Sequence, residues 1–238
     1  MKNDWFIPPS DFLANLSIQD RKALLEVGTV SEYKKGNYVF QKGDPGDNVY
    51  ILASGRAKIS QLSSTGKEMI LWFCLSGEIF GLAELPRAGQ REVFAQVCSD
   101  AVVYSFRRED FNRFLLEHPQ AAMQIIDLLS CRMRVLGHMW MTLAADDVAS
   151  RIIKLILRLG ARLSNNQSTG MRFEFPLTHQ EIADMIGSSR QTVTTVLGEL
   201  KRKGVIKMEQ HHICIESTAA LESMISNITN SDTSAGMH

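Results

Sequence analysis

The sequence predicts an α+β chain with three parts: an N-terminal β-roll of short strands, one long helix that pairs with a copy of itself, and a C-terminal winged helix-turn-helix. Three observations predict it. Between Val30 and Phe106, glycines at 36, 43, 46, 55, 66, 77, 81 and 89 separate short β-prone runs. From Ala122 to Leu143, apolar residues recur at spacings of 4, 3, 4, 3, 4, 3. After Thr178, two short helical patterns meet at a single glycine and lead into Lys201-Arg202-Lys203. The expected boundaries are 1–118 for the β-roll, 119–145 for the long helix and 146–238 for the C-terminal domain.

The β-prone runs are 38–40, 49–52, 57–59, 69–73, 93–97 and 101–104. Turn signals every eight to twelve residues favour a sandwich or barrel. Lys42 to Asp47 reads as a turn, because Gly supplies positive φ, Pro fixes φ and Asp bonds back to its own backbone. Ahead of the strands, Ser17 caps a short helix bearing Ile18, Ala23, Leu24 and Val27.

The long helix opens at Pro119, where a missing N–H costs nothing. Its seam comprises Ala122, Ile126, Leu129, Met133, Leu136, Trp140 and Leu143. A helix lying on its own domain drifts at a 3.6 period, whereas a strict heptad suits a helix–helix seam, so a homodimer is expected through Ile126, Leu129, Met133, Leu136, Trp140 and Leu143. A further helix is expected over 148–163, then a polar loop over 164–170, a short strand near 172–177, and a frayed tail from 227.

Lys plus Arg and Asp plus Glu both total 26, and this neutrality hides an asymmetry. Residues 1–150 carry 16 basic and 18 acidic side chains; residues 151–216 carry 10 and 6. A basic C-terminal domain faces a polyanion. No apolar run reaches the length that spans a bilayer, and no signal-peptide pattern opens the chain. Cys74, Cys98, Cys131 and Cys214 lie 24, 33 and 83 residues apart without a CxxC pair, so reduced thiols in the cytoplasm are expected.

Thr178 with Glu181 forms a capping box, Gly187 closes the first helix, and a second begins at Ser189-Arg190. The second buries Val193, Val196, Leu197 and Leu200, which turns Arg190, Gln191 and Thr195 outward. Such a pair is the helix-turn-helix, whose second helix enters the major groove. Arg190 matches guanine and Gln191 matches adenine. Lys201 and Lys203 would meet phosphates, and 205–208 with 212–215 would form the wing.

The chain resembles the CRP/FNR family of bacterial transcription regulators over nearly its whole length. The residues that carry the likeness are Lys35-Gly36-Asn37-Tyr38-Val39-Phe40-Gln41-Lys42-Gly43-Asp44 with Ser54-Gly55, then Gly77-Glu78-Ile79-Phe80-Gly81, and Ile186-Gly187-Ser188-Ser189-Arg190-Gln191-Thr192-Val193. The resemblance implies an effector-controlled regulator acting on a palindromic DNA operator, with RNA polymerase as a further partner. It assigns phosphate contacts to Thr178, Gln180, Ser189 and Thr192, and base contacts to Arg190, Gln191 and Thr195. It also implies an effector pocket lined by Phe80, Gly81, Leu82, Glu84, Arg91, Glu92, Leu136 and Trp140.

Three departures argue against cyclic AMP as that effector. The ribose-holding Glu is displaced to Glu84. Glu92 follows Arg91 where the resemblance calls for a small hydroxyl, and two like charges ~4 Å apart cost on the order of 4 kcal/mol. Leu136-Gly137 replaces the Thr-Ser pair expected at adenine. The N-terminal cysteines of the iron–sulfur members are missing. Haem, as in family members that sense CO or NO, is an alternative, with His138, Met139, Cys74, Cys98 and Cys131 as candidate ligands; another small anionic metabolite at Arg91 and thiol redox at Cys131 are further alternatives. No P-loop, GxSxG, HExxH or GxGxxG organises catalysis, so no enzyme is expected. A cyclic-nucleotide adaptor without DNA function would share the β-roll but lack residues 178–207.

Overall fold

A computed structural model describes residues 11–163, 171–172, 176–209 and 212–225. The polar loop at 164–170, most of the run expected near 172–177 and the tail from 227 lie outside them. In chain order the elements are α1 (Phe12–Asn15), α2 (Ile18–Glu26), β1 (Thr29–Tyr33), β2 (Tyr38–Phe40), β3 (Asn48–Ser54), β4 (Arg56–Leu62), β5 (Glu68–Leu75), β6 (Ile79–Phe80), β7 (Phe94–Val97) and β8 (Ala101–Arg107). There follow α3 (Arg108–Glu117), α4 (Pro119–Ala145), α5 (Val148–Leu163), β9 (Met171–Arg172), α6 (His179–Ile186), α7 (Arg190–Arg202), β10 (Ile206–Glu209) and β11 (His212–Ile215). Residues 218–225 are helical. The chain divides into two compact units, Pro8–Arg134 and the remainder, with the break falling inside α4.

The first unit is a β-roll of two four-stranded antiparallel sheets, ordered β1-β8-β3-β6 and β2-β7-β4-β5. The continuous apolar run at 49–52 explains its layering. In β3, Tyr50 and Leu52 enter one buried cluster with Phe40, Ala57, Ile59 and Phe80, drawn from both sheets. Val49 and Ile51 alternate to the opposite face and join Phe106, Phe111, Phe114, Ile125 and Leu128 beneath the helices. This sheet is therefore covered on both faces, which is why β3 shows no polar alternation.

Sequence reading missed β1, β6, α1 and α3. The first two are a polar edge strand and a two-residue strand, too weak in pattern to stand out. Helix α1 spans four residues and is fixed by Asp11, which accepts from the Ala14 N–H at 2.8 Å. Helix α3 carries the apolar core of the unit: Phe111 packs on Phe12, Phe106 and Phe114 with ring centroids 6.1–6.4 Å apart.

Helix α4 runs unbroken for 27 residues. Ala121, Ile125, Leu128 and Cys131 are buried on the β-roll, and Arg132 donates to the Ile79 carbonyl at 2.6 Å. The heptad seam lies on other faces of the same helix, exposed at Ile126, Leu129, Met133, Leu136, Trp140 and Leu143. One stripe of this helix thus packs on its own domain, and the residues expected to form the seam stand exposed on another.

In the second unit, Asp147 caps α5 by accepting from the Ser150 N–H at 2.8 Å, and Asp146 pairs with Lys154 at 2.6 Å. Ile152, Ile153, Leu155, Ile156 and Leu159 are buried, and α5 packs on α6 and α7. The wing is antiparallel, β10 against β11, with β9 completing a three-stranded sheet.

Adjacent residues of α4 test the two stripes. Leu128→Ala should cost about 2–5 kcal/mol in denaturant unfolding of the β-roll unit. Leu129→Ala, at 43% exposed, should stay within about 0.5 kcal/mol in dilute, monomeric protein. Equal losses would contradict the assignment of faces.

Candidate nucleic-acid interface and sensor site

Helix α6 begins with a complete capping box. Thr178 Oγ1 accepts from the Glu181 N–H at 3.1 Å, and the Glu181 carboxylate accepts from the Thr178 N–H at 2.8 Å. Ile182, Met185 and Ile186 bury one face. The helix ends at Gly187, whose φ of 68° is the left-handed conformation that glycine adopts without Cβ strain. The Ser188 N–H then reaches back to the Ala183 carbonyl at 3.0 Å, and Arg151 donates to the Ile186 carbonyl at 3.0 Å. The turn between the helices is thus held by the left-handed Gly187, by backbone hydrogen bonds back to Ala183, and by Arg151 of α5, which lies 35 residues before Ile186.

Ser189 caps α7 by accepting from the Thr192 N–H at 3.1 Å. Val193, Leu197 and Leu200 are buried; Arg190, Gln191, Thr194, Thr195 and Gly198 are exposed along one stripe. Neither threonine hydroxyl reaches outward as a donor. Thr194 donates to the Arg190 carbonyl at 2.9 Å and Thr195 to the Gln191 carbonyl at 3.2 Å. Lys201, Arg202 and Lys203 are exposed at the far end. On the wing, Lys207 pairs with Glu216 at 3.0 Å, and this hydrogen bond raises the Lys207 pKa.

Of the residues expected at phosphates, Thr178, Gln180 and Ser189 are exposed and Thr192 is half-buried. Gln180 donates its amide to the buried Asp184 at 2.8 Å, which orients the side chain along α6. Sequence reading missed His179 and Thr194, joined Nδ1 to Oγ1 at 2.8 Å between α6 and α7. No motif marks a bond between residues fifteen apart.

In the β-roll, Arg91 is 1% exposed. It donates through Nη1 to the Gly81 carbonyl at 3.1 Å and to the Glu84 carboxylate, and through Nη2 to the Asn48 carbonyl. Its guanidinium sits 4.3 Å from the Phe40 ring centroid, and Tyr50 stacks on Phe80 at 5.4 Å. Removing one member of a buried ion pair costs about 3–5 kcal/mol, because the other charge stays behind. Phe80, Gly81, Glu84 and Arg91 therefore come together, and Phe40, Asn48 and Tyr50 join them unforeseen.

Other residues expected in the pocket go elsewhere. Leu82 packs into the cluster beneath the helices. Glu92 does not face the Arg91 guanidinium: its side chain is 72% exposed and pairs with Lys42 at 3.6 Å. Leu136 and Trp140 belong to the other compact unit and lie on the exposed seam of α4.

The haem candidates are scattered. Cys74 is packed in the inter-sheet cluster, Cys131 is buried on the face of α4 that packs on the β-roll, and Cys98 is half-buried near the Gln96 carbonyl at 3.8 Å. His138 and Met139 lie in the other unit, and burial, then Arg158 and Lys154, hold the His138 pKa down. Axial ligation by Cys74 or Cys131 would require opening a packed core. Among the described residues no three His, Cys, Asp or Glu side chains gather to hold a metal ion, and no helix is long and apolar enough to cross a membrane.

Gly187→Ala should destabilise the C-terminal unit by about 1–2 kcal/mol, read by thermal unfolding, because Ala resists the left-handed conformation. No change would mean that the turn relaxes without this residue.

Comparison with known proteins gives the same two parts. Residues 30–118 match the model of the cyclic nucleotide-binding domain, and residues 150–224 match that of the Crp-like helix-turn-helix domain. The second match removes the adaptor reading. A CRP-like cAMP-activated global transcriptional regulator of Mycobacterium tuberculosis is 28% identical over 190 residues, covering 80% of this chain and 85% of the relative. A global nitrogen regulator of Synechococcus elongatus is 29% identical over 199 residues, covering 83% and 90%. In fold alone, a CooA mutant of Carboxydothermus hydrogenoformans is similar over 93% of this chain and 99% of that one, with a TM-score of 0.79 at 20% identity. An N-terminal β-roll, a capped helix-turn-helix with a wing and these relatives converge, and the chain belongs to the CRP/FNR family of DNA-binding transcription regulators.

Proposed function

We propose that two copies of this chain pair along the α4 seam, bind a palindromic operator, and tune that binding through the β-roll. The observation that supports the DNA reading most is the exposed stripe at the start of α7. Arg190 and Gln191 stand there exposed, with no side-chain hydrogen bond among the described residues, on a helix anchored from behind by Val193, Leu197 and Leu200. Arg190 reads guanine through its fork and Gln191 reads adenine. Thr195, with its hydroxyl donating to Gln191, offers a methyl group to a thymine methyl. Thr178, Gln180, Ser189, Thr192, Lys201 and Lys203 hold the backbone, with helix N-termini adding their dipoles. Pairing is supported by the seam, whose Met133 and Trp140 are each 72% exposed in the single chain. Contact with RNA polymerase and a cytoplasmic location follow from the regulatory role.

Base and backbone contacts separate by mutation. Arg190→Ala should cost about 1–3 kcal/mol on the preferred operator and relax selection at one guanine per half-site. Lys201→Ala should weaken all sequences alike and lower the salt slope by about 1. Identical behaviour of the two variants in a salt-titrated binding assay would overturn the proposed docking.

The seam has its own test. Leu129→Glu with Leu136→Glu should yield monomers in sedimentation velocity and abolish operator binding, while far-ultraviolet circular dichroism stays that of the parent. A dimer that survives both charges would place the interface elsewhere.

A further inference from the structure

The buried pair in the β-roll carries a consequence for what this sensor accepts. A guanidinium has five N–H donors, and in this setting it requires a counter-anion. Arg91 meets that need from within the chain. Its Nη1 is shared between the Gly81 carbonyl and Glu84, Nη2 reaches the Asn48 carbonyl, and Nε has no acceptor among the described residues. Glu84 arrives from the loop between β6 and β7, and its side chain is only 11% exposed. The backbone closes over it: a Cβ on Gly46 would stand 2.5 Å from Glu84 Cγ and 2.9 Å from the Gly89 carbonyl. Only glycine lets that loop lie so close.

This arrangement lies within 30–118, the span that matches the cyclic nucleotide-binding domain, whose ligands carry an anionic phosphate. Building on the reading of the β-roll as the sensor, we propose that Glu84 determines its specificity. The carboxylate takes on Arg91 the place an anionic phosphate would take, and so closes this locus to cyclic nucleotides and other phosphate-bearing ligands. A second anion about 4 Å from Glu84 would meet like-charge repulsion at an intermediate dielectric, equivalent to about a thousandfold in affinity. A regulator with this site takes its signal from a ligand without phosphate at Arg91, or from elsewhere in the unit.

Calorimetric titration of the full-length protein with cyclic AMP, and separately with inorganic phosphate, tests this. The wild type should show no saturable binding of either. Glu84→Gln keeps the size and an acceptor but removes the charge; it should bind at least one of the two anions a hundredfold or more tighter than the wild type. Gain with both means that charge alone is read, and gain with cyclic AMP alone means that the base and ribose add contacts. Glu84→Asp, which keeps the charge, should gain nothing, and adding Arg91→Gln to Glu84→Gln should abolish the gain. If Glu84→Gln is poorly stable, Glu84→Ser gives the same readout as a phosphate-dependent rise in melting temperature. The proposal fails if the wild type binds cyclic AMP as tightly as Glu84→Gln, or if neither neutral variant gains affinity for either anion. Operator binding by the wild type, measured on the same preparation, reports separately on the regulator reading.

Discussion

Helix α4 carries two apolar stripes, and the β-roll covers only one of them. Ala121, Ile125, Leu128 and Cys131 are buried, so the helix is fixed in rotation about its own axis. With that rotation fixed, Ile126, Leu129 and Met133, the part of the seam in the same unit, face outward. Six large apolar side chains on one helix stripe are more than an isolated soluble chain normally leaves in water. Packing inside the monomer thus leaves uncovered the surface through which we propose that two monomers meet. Pairing by this seam would relate two copies by a dyad and present two recognition helices to one duplex.

The DNA-reading helix depends on a different economy. Orphan backbone groups of α6 and α7 are met locally by Thr178, Glu181, Ser189 and the Gly187 turn, and from α5 by Arg151. The side chains at the start of α7 are thereby released from structural duty. Arg190 and Gln191 are exposed, and among the described residues their side chains make no hydrogen bond. The sensor inverts this logic. There Arg91, a charge that water would hold better, is drawn into the core and occupied by Glu84, two carbonyls and the Phe40 ring.

Features with a strong local signal were legible in the sequence. The capping box, the closing glycine, the Ser cap, the heptad and the Lys42–Asp47 turn each express a rule that operates over a few residues. The strands with clear apolar runs were legible for the same reason. What escaped was short, non-local or poorly marked: α3 follows β8 directly with no side-chain cap to signal its start, and β1 is a polar edge strand. The two-residue β6 and four-residue α1 leave no periodicity to detect. Glu92 and Arg91 are neighbours in sequence, yet one turns to solvent and Lys42 while the other turns to the core, a division set by the tertiary fold. The Arg91–Asn48 and His179–Thr194 contacts join residues 43 and 15 apart, a distance at which no residue pattern specifies a partner.

The most direct test of a paired, groove-reading regulator is methylation interference on an operator selected from random DNA with the full-length protein. Two sets of guanine contacts are expected, related by a dyad and centred about 34 Å apart on one face of the duplex. Interference confined to a single half-site, or binding without sequence selection, would contradict the account.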